Sequence, residues 1–176
     1  MTDPVSLVVA RGTEIGEAFV GKGAEAAHIN TVLGGKGGPV EVAWETALAT
    51  PRPGHAAFVT VLQPGLAVKP LTLFVNKAPL QGGEHDRLTW GPAQAGVASG
   101  VLWAVADGVV AAEDVDDLLL IAAVWVNPAA KEDVVVYDNN RQATRDALRA
   151  GHDRTPALSQ LLSERDEPWN PFFRPR

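Results

Sequence analysis

The sequence predicts an α+β fold, a two-layer arrangement with helices laid on one face of a mixed sheet. Three observations predict it. Short apolar runs of strand length are interleaved with segments of helical period, in the order ββαββαβαα, without the strict alternation of a doubly wound sheet. Clusters of glycine and proline punctuate the chain where the period changes. A length of 176 residues, 46% hydrophobic and 20% charged, suits one domain with a sizeable core.

The elements follow in order. "EIGEAFVG" (14–21) reads as a short strand stopped by glycine, and "EAAHINTVLGG" (25–35) as its hairpin-like neighbour. "GGKGG" is a loop. Pro39 then opens a helix, "PVEVAWETALA", with Val40, Ala43, Trp44, Ala47 and Leu48 at helical spacing. "TPRPGH" is a turn-rich connection to the strand "AAFVTVLQ" (56–63), and "PGLAVKP" leads to the strand "LTLFVNKAP" (71–79). "LQGGEHD" (80–86) reads as a loop before the longest helix, "GPAQAGVASGVLWAVADGVV" (91–110). Pro92 sits in its first turn, and Val97, Val101, Ala104, Val105 and Gly108 share a face. The acidic "EDVDD" (113–117), read as solvated, enters the strand "LLLIAAVWV" (118–126). "NRQATRDALRA" and "PALSQLLSE" are amphipathic helices, and "EPWNPFFRPR" closes the chain. No linker divides it: residues 1–176 form a single domain, with an N-terminal extension at 1–13 and a C-terminal tail at 164–176.

Composition removes several functions. A net charge of −6 offers no footprint for nucleic acid or an anionic membrane. The absence of cysteine excludes disulfides, thiolate catalysis and sulfur-ligated metals. The longest apolar run, 118–126, falls short of the ~18 residues of a membrane span. The N-terminus lacks a basic segment followed by a long apolar run, so the expected compartment is the cytoplasm. His28, His55, His85 and His152 are scattered without metal-ligand spacing, and no metal site is expected. In "GGKGGP" Lys36 is followed by glycines, which fails the phosphate-loop pattern. In "GVASG" the serine is misplaced for a nucleophile elbow, so its small residues read as close helix packing. Trp44, Trp103 and Trp125 fit core positions, whereas Trp90 and Trp169 lie near loops, where they could stack on a ligand or pack an interface.

Two strands each carry a polar side chain among apolar neighbours. His28 and Asn30 point the same way from one strand, flanked on that face by Ala26 and Val32. Taken alone, His28 reads as a satisfied core histidine. Lys77 shares a face with Leu73, Val75 and Pro79. A lysine there is costly unless it reaches water, an anion or a partner.

The blocks "IGEAFVGKGAEAAHIN", "GLAVKPLTLFVNKAPL" and "WGPAQAGVASGV", in that order, resemble the landmarks of the formaldehyde-activating enzyme family. "AVWVNPAA", "NNRQATRDAL" and "NPFF" resemble its weaker blocks, so that nearly all of 14–173 is covered. The resemblance implies a lyase of one-carbon metabolism that condenses formaldehyde with tetrahydromethanopterin to methylene-tetrahydromethanopterin and water. It implies no metal and no tightly bound cofactor, the pterin being a co-substrate. It also implies a homopentamer holding the pterin in clefts between subunits. The implied fold is an α+β sandwich with a left-handed βαβ crossover, like a ribosomal-protein domain, against the usual right-handed rule.

Carried over by position, the resemblance makes His28 the catalytic proton donor and places Asn30, Val59, Lys77, Pro79 and Gln94 at pterin-contacting positions. Asn30 stands where the family has aspartate, Val59 where it has leucine, Pro79 where it has threonine, and Asn127 where a histidine is common. Asparagine supplies a hydrogen bond but no charge to hold an imidazolium. Pro79 removes a hydroxyl and a backbone donor together. These changes leave a second function open, a diverged paralogue that binds a reduced pterin, another amine carrier or an aldehyde without turnover.

Overall fold

Strand β1 (Glu14–Val20) turns back on β2 (Ala27–Gly35) in a computed structural model that describes residues 12–170 and 173–175. The expected N-terminal extension lies outside the described residues, apart from Gly12 and Thr13. Gly21 and Gly23, with φ of 91° and 68°, make the reversal that residues with a Cβ resist. The hairpin pairs Glu17 with Asn30 and Phe19 with His28. β2 pairs antiparallel with β7 (Leu118–Trp125), setting His28 opposite Trp125. β7 lies parallel to β6 (Leu71–Asn76), and β6 pairs antiparallel with β3 (Ala57–Val59). The five-stranded mixed sheet is thus ordered β1-β2-β7-β6-β3.

The sheet's two faces follow from the alternation of side chains. Ala27, Ile29, Thr31 and Leu33 of β2 are buried on one face. There α4 (Asp133–Asp153) lies across β1 and β2, and α3 (Gln94–Ala106) packs on α4. Phe74, Leu120, Ala122 and Val124 from the sheet meet Val97, Val101, Val136 and Ala143 from these helices in the main core. Small residues let the backbones approach. A Cβ on Gly96 would stand 2.5 Å from the Tyr137 carbonyl oxygen, and one on Gly100 equally close to that of Arg141. The close packing expected of "GVASG" is therefore made against α4.

On the opposite face, α1 (Pro39–Ala49) sets Val40 and Trp44 against Leu73 and Leu119, with Val32, Val59 and Ile121 around them. It covers one end of that face. The other end carries His28, Asn30 and Trp125.

Several boundaries differ from those the sequence predicts, each for a tertiary reason. The segment expected as a loop at 80–86 already contains α2 (Gly83–Leu88), joined by one wide turn (Thr89–Ala93) to α3. Arg87 forks onto Glu84 and Asp133, and the buried His85 meets the Val126 carbonyl at 3.0 Å. Pro92, lacking an N–H, sits in the wide turn. The strand expected at 56–63 breaks at Thr60 into β3 and β4 (Val61–Gln63), and β4 pairs with β5 (Leu66–Ala67) in a ribbon apart from the main sheet. α4 begins at Asp133 rather than 140, with Val136 buried. α5 (Leu158–Glu164) follows. Trp103 is not a core residue: it is 44% exposed, with the Arg141 guanidinium 4.7 Å from its ring centroid. "EDVDD" is solvated as expected, with Asp116 paired to Lys69.

Candidate active site

That end of the sheet holds a pocket of about 570 Å³ lined by Glu17, Phe19, His28, Lys77, Trp125, Trp169 and Asn170. Strand pairing explains the first members. Phe19, His28 and Trp125 are successive cross-strand partners, so the three side chains stand in one row on one face. Lys77 continues the row, because its backbone N–H bonds the Val124 carbonyl at 2.8 Å. Trp169 and Asn170 come from the C-terminal tail. Pro171 and Phe172, within the "NPFF" segment, lie outside the described residues.

Two polar contacts organise the pocket. Glu17 Oε1 stands 2.9 Å from His28 Nε2, and Lys77 Nζ donates to Asn30 Oδ1 at 2.5 Å. The Phe19 ring stands 6.0 Å from the imidazole. Burial lowers the His28 pKa below its ordinary value, and the Lys77 charge lowers it further. Glu17 opposes both, through its charge and its hydrogen bond. Burial also lowers Lys77, to about 8, against the pull of the Glu17 carboxylate.

Of the residues proposed from sequence, His28, Asn30 and Lys77 come together here. Val59, Pro79 and Gln94 do not line this pocket within one chain. Val59 packs under α1 at the far end of the face. Gln94 is buried, and its Oε1 accepts the Val61 N–H at 2.7 Å, which holds the ribbon against the start of α3. Pro79 is exposed beside Gly54. Asn127 accepts the Ala129 N–H at 2.9 Å and fixes the turn after β7.

Sequence reasoning did not single out Glu17 or Phe19. Their signal is the hairpin register, which sets Glu17 opposite Asn30 and so within reach of His28. Trp125, expected in the core, is half-buried and faces the pocket. Trp169, for which the sequence left a ligand or an interface open, lines the same pocket. Among the described residues no group of three or more histidines, aspartates or glutamates could hold a metal ion.

Fold and pocket together define an α+β protein that presents a carboxylate–imidazole pair and a half-buried amine in an aromatic-lined pocket on one sheet face. Its family is identified by comparison. Residues 15–173 match the model of the formaldehyde-activating enzyme (Fae) family. The chain is 40% identical over 158 residues to the 5,6,7,8-tetrahydromethanopterin hydro-lyase of Methanosarcina barkeri, covering 90% of this chain and 89% of that one. It is 36% identical over 160 residues to the bifunctional enzyme Fae/Hps of Methanosphaera stadtmanae, and 35% identical over 158 residues to that of Archaeoglobus fulgidus. These alignments take in 91% and 90% of this chain but only 39% and 40% of the bifunctional proteins. The chain belongs to the formaldehyde-activating enzyme family.

Proposed function

We propose that the chain condenses formaldehyde with tetrahydromethanopterin, giving methylene-tetrahydromethanopterin and water, with His28 as general acid. The observation that carries this reading is the Glu17–His28 contact at the mouth of an aromatic-walled pocket. A pterin amine adds to formaldehyde and forms a carbinolamine. Expulsion of its oxygen is the difficult step, because hydroxide is a poor leaving group. A protonated His28 delivers its proton to that oxygen, which leaves as water, a contribution of roughly 10²–10⁴-fold. Holding the two reactants together supplies much of the rest. Phe19, Trp125 and Trp169 offer flat faces for a planar ring.

Glu17, from the neighbouring strand, offers His28 a carboxylate that Asn30 lacks, which supports turnover over a non-catalytic carrier. Asn30 takes the role of orienting Lys77. Val59, Pro79 and Gln94 lie away from the pocket, so a pterin touching them as well would have to reach it from a neighbouring subunit, in keeping with a homopentamer. Ile15, Val134 and Leu158, each about 70% exposed, are apolar surface for such contacts. The reading needs no metal and no tightly bound cofactor, and its compartment is the cytoplasm. No described helix is long and apolar enough to cross a membrane.

Binding is tested by calorimetry with reduced pterins in the absence of formaldehyde. Tetrahydromethanopterin is expected to bind, and Trp169→Ala to weaken it about tenfold through lost stacking. Absence of heat at millimolar pterin contradicts the reading.

The pH profile gives a second expected result. The donor form of His28 exists below its pKa and is lost as pH rises through it, and that pKa lies below the ordinary 6.5. Glu17→Gln removes the charge that helps hold it up and leaves only a neutral acceptor for the hydrogen bond. The falling limb of the rate therefore moves to lower pH, and the rate at neutral pH drops by roughly three- to tenfold. An unmoved limb shows that Glu17 does not govern the proton donor.

A further inference from the structure

We propose that the Lys77 ε-amine is itself a nucleophile, capturing formaldehyde as a covalent methylene-iminium adduct within the pocket. The inference rests on the reading that this pocket takes formaldehyde, but it needs no pterin.

The placement of Lys77 carries it. Its backbone is pinned to β7 just beyond the end of β6, and it is half-buried at the pocket that Phe19, Trp125 and Trp169 also line. The other lysines, Lys22, Lys36, Lys69 and Lys131, are exposed. The hydrogen-bond partner of Lys77 is a neutral carboxamide, Asn30, which orients the amine without fixing its charge. The carboxylate facing the same space, Glu17, is engaged with His28. The groups around the amine are therefore Glu17 from β1, His28 and Asn30 from β2, Trp125 from β7 and Trp169 with Asn170 from the tail. Burial brings Lys77 down to about 8, so an appreciable share is free base near neutral pH. A desolvated lysine beside an acid is the arrangement by which amines attack carbonyls.

The step balances. The Nζ lone pair forms a bond to the formaldehyde carbon, the carbonyl π bond breaks, and a proton moves from nitrogen to oxygen, leaving a carbinolamine. His28, as imidazolium, then gives its proton to the hydroxyl. The C–O bond breaks, water departs, and the nitrogen lone pair forms the N=C bond of the iminium. The positive charge passes from the imidazolium to the adduct, and no oxidant or reductant takes part. The adduct carries the carbon at the oxidation level of the product, poised for transfer to an incoming amine.

Reductive trapping tests this. The intact protein is exposed to limiting formaldehyde and cyanoborohydride near neutral pH, without pterin, and peptide mapping compares methylation at Lys77 with that at the four exposed lysines. A free-base advantage of roughly 10²-fold over an ordinary lysine, reduced by the lower nucleophilicity of a weaker base, leaves Lys77 about tenfold faster. Asn30→Asp sets a carboxylate on the amine, holds it as ammonium, and is expected to erase that advantage while the exposed sites label as before. Lys77 labelling no faster than Lys22, or a rate indifferent to Asn30→Asp, overturns the proposal. Selective labelling in a chain that fails to accelerate the pterin condensation upholds this inference and defeats the reading above. Pterin turnover with unselective labelling does the reverse.

Discussion

His28→Gln is expected to lower the protein-dependent rate of condensation by 10²–10⁴-fold, the usual worth of a general acid, and to leave the fold intact. The side chain is 38% exposed, so its replacement opens no core cavity. Glutamine keeps a donor that can reach Glu17, so the carboxylate is not left without a partner. On the proposed mechanism, what is lost is the proton that the imidazolium would give to the departing oxygen. The loss should therefore fall on kcat, with the pterin affinity from calorimetry little changed. The residual rate should also lose the pH limb of the parent. A variant that binds weakly yet turns over at the parental rate when saturated assigns His28 to binding.

Gly16→Ala is expected to destabilise the protein by about 3 kcal/mol or more. Gly16 lies in β1 where α4 crosses it, and a Cβ there would stand 1.8 Å from the Ala147 carbonyl oxygen and 2.9 Å from the Gly151 nitrogen. Both neighbours are backbone, so no side chain can rotate away. α4 must lift from the sheet, exposing Ala143, Ala147 and Leu148, which are buried there. Because β1 also carries Glu17 and Phe19, the folded remainder should lose activity too. Urea unfolding measures the effect as a lower midpoint at unchanged slope. Gly35→Ala is the control: nothing lies within 4 Å of its Cβ position, and the expected change is within about 0.5 kcal/mol.

The parts of this fold legible in the sequence are those whose pattern is local. The alternation along 27–35 and the apolar run at 118–126 announce β2 and β7, and Pro39 with its spaced apolar residues announces α1. The start of α2 was not legible, because "GGEHDRL" has loop composition. The helix is held by His85 reaching the end of β7 and by Arg87 reaching Asp133, contacts between residues 41 and 46 positions apart. The break at Thr60 is likewise imposed from a distance, where Gln94 takes the Val61 N–H. Trp103 matched a core spacing, yet arginines from α4 stack over it.

The site divides in the same way. His28, Asn30 and Lys77 stood out as polar residues on apolar strands, a conflict between local pattern and burial of the kind expected at functional or strained positions. Glu17 gave no such conflict, since an acid on an outward strand face is ordinary. Its role exists only through the register that pairs it with Asn30. Asn30, an apparent loss when read alone, becomes a neutral partner for Lys77 once Glu17 is seen at His28.

The most direct measurement is the initial rate at which formaldehyde and tetrahydromethanopterin disappear into methylene-tetrahydromethanopterin, followed by absorbance with and without the purified chain. The expected result is a rate above the spontaneous condensation that rises in proportion to protein and saturates with pterin. A rate equal to the spontaneous one, at every protein concentration and on both sides of the His28 pKa, contradicts the account.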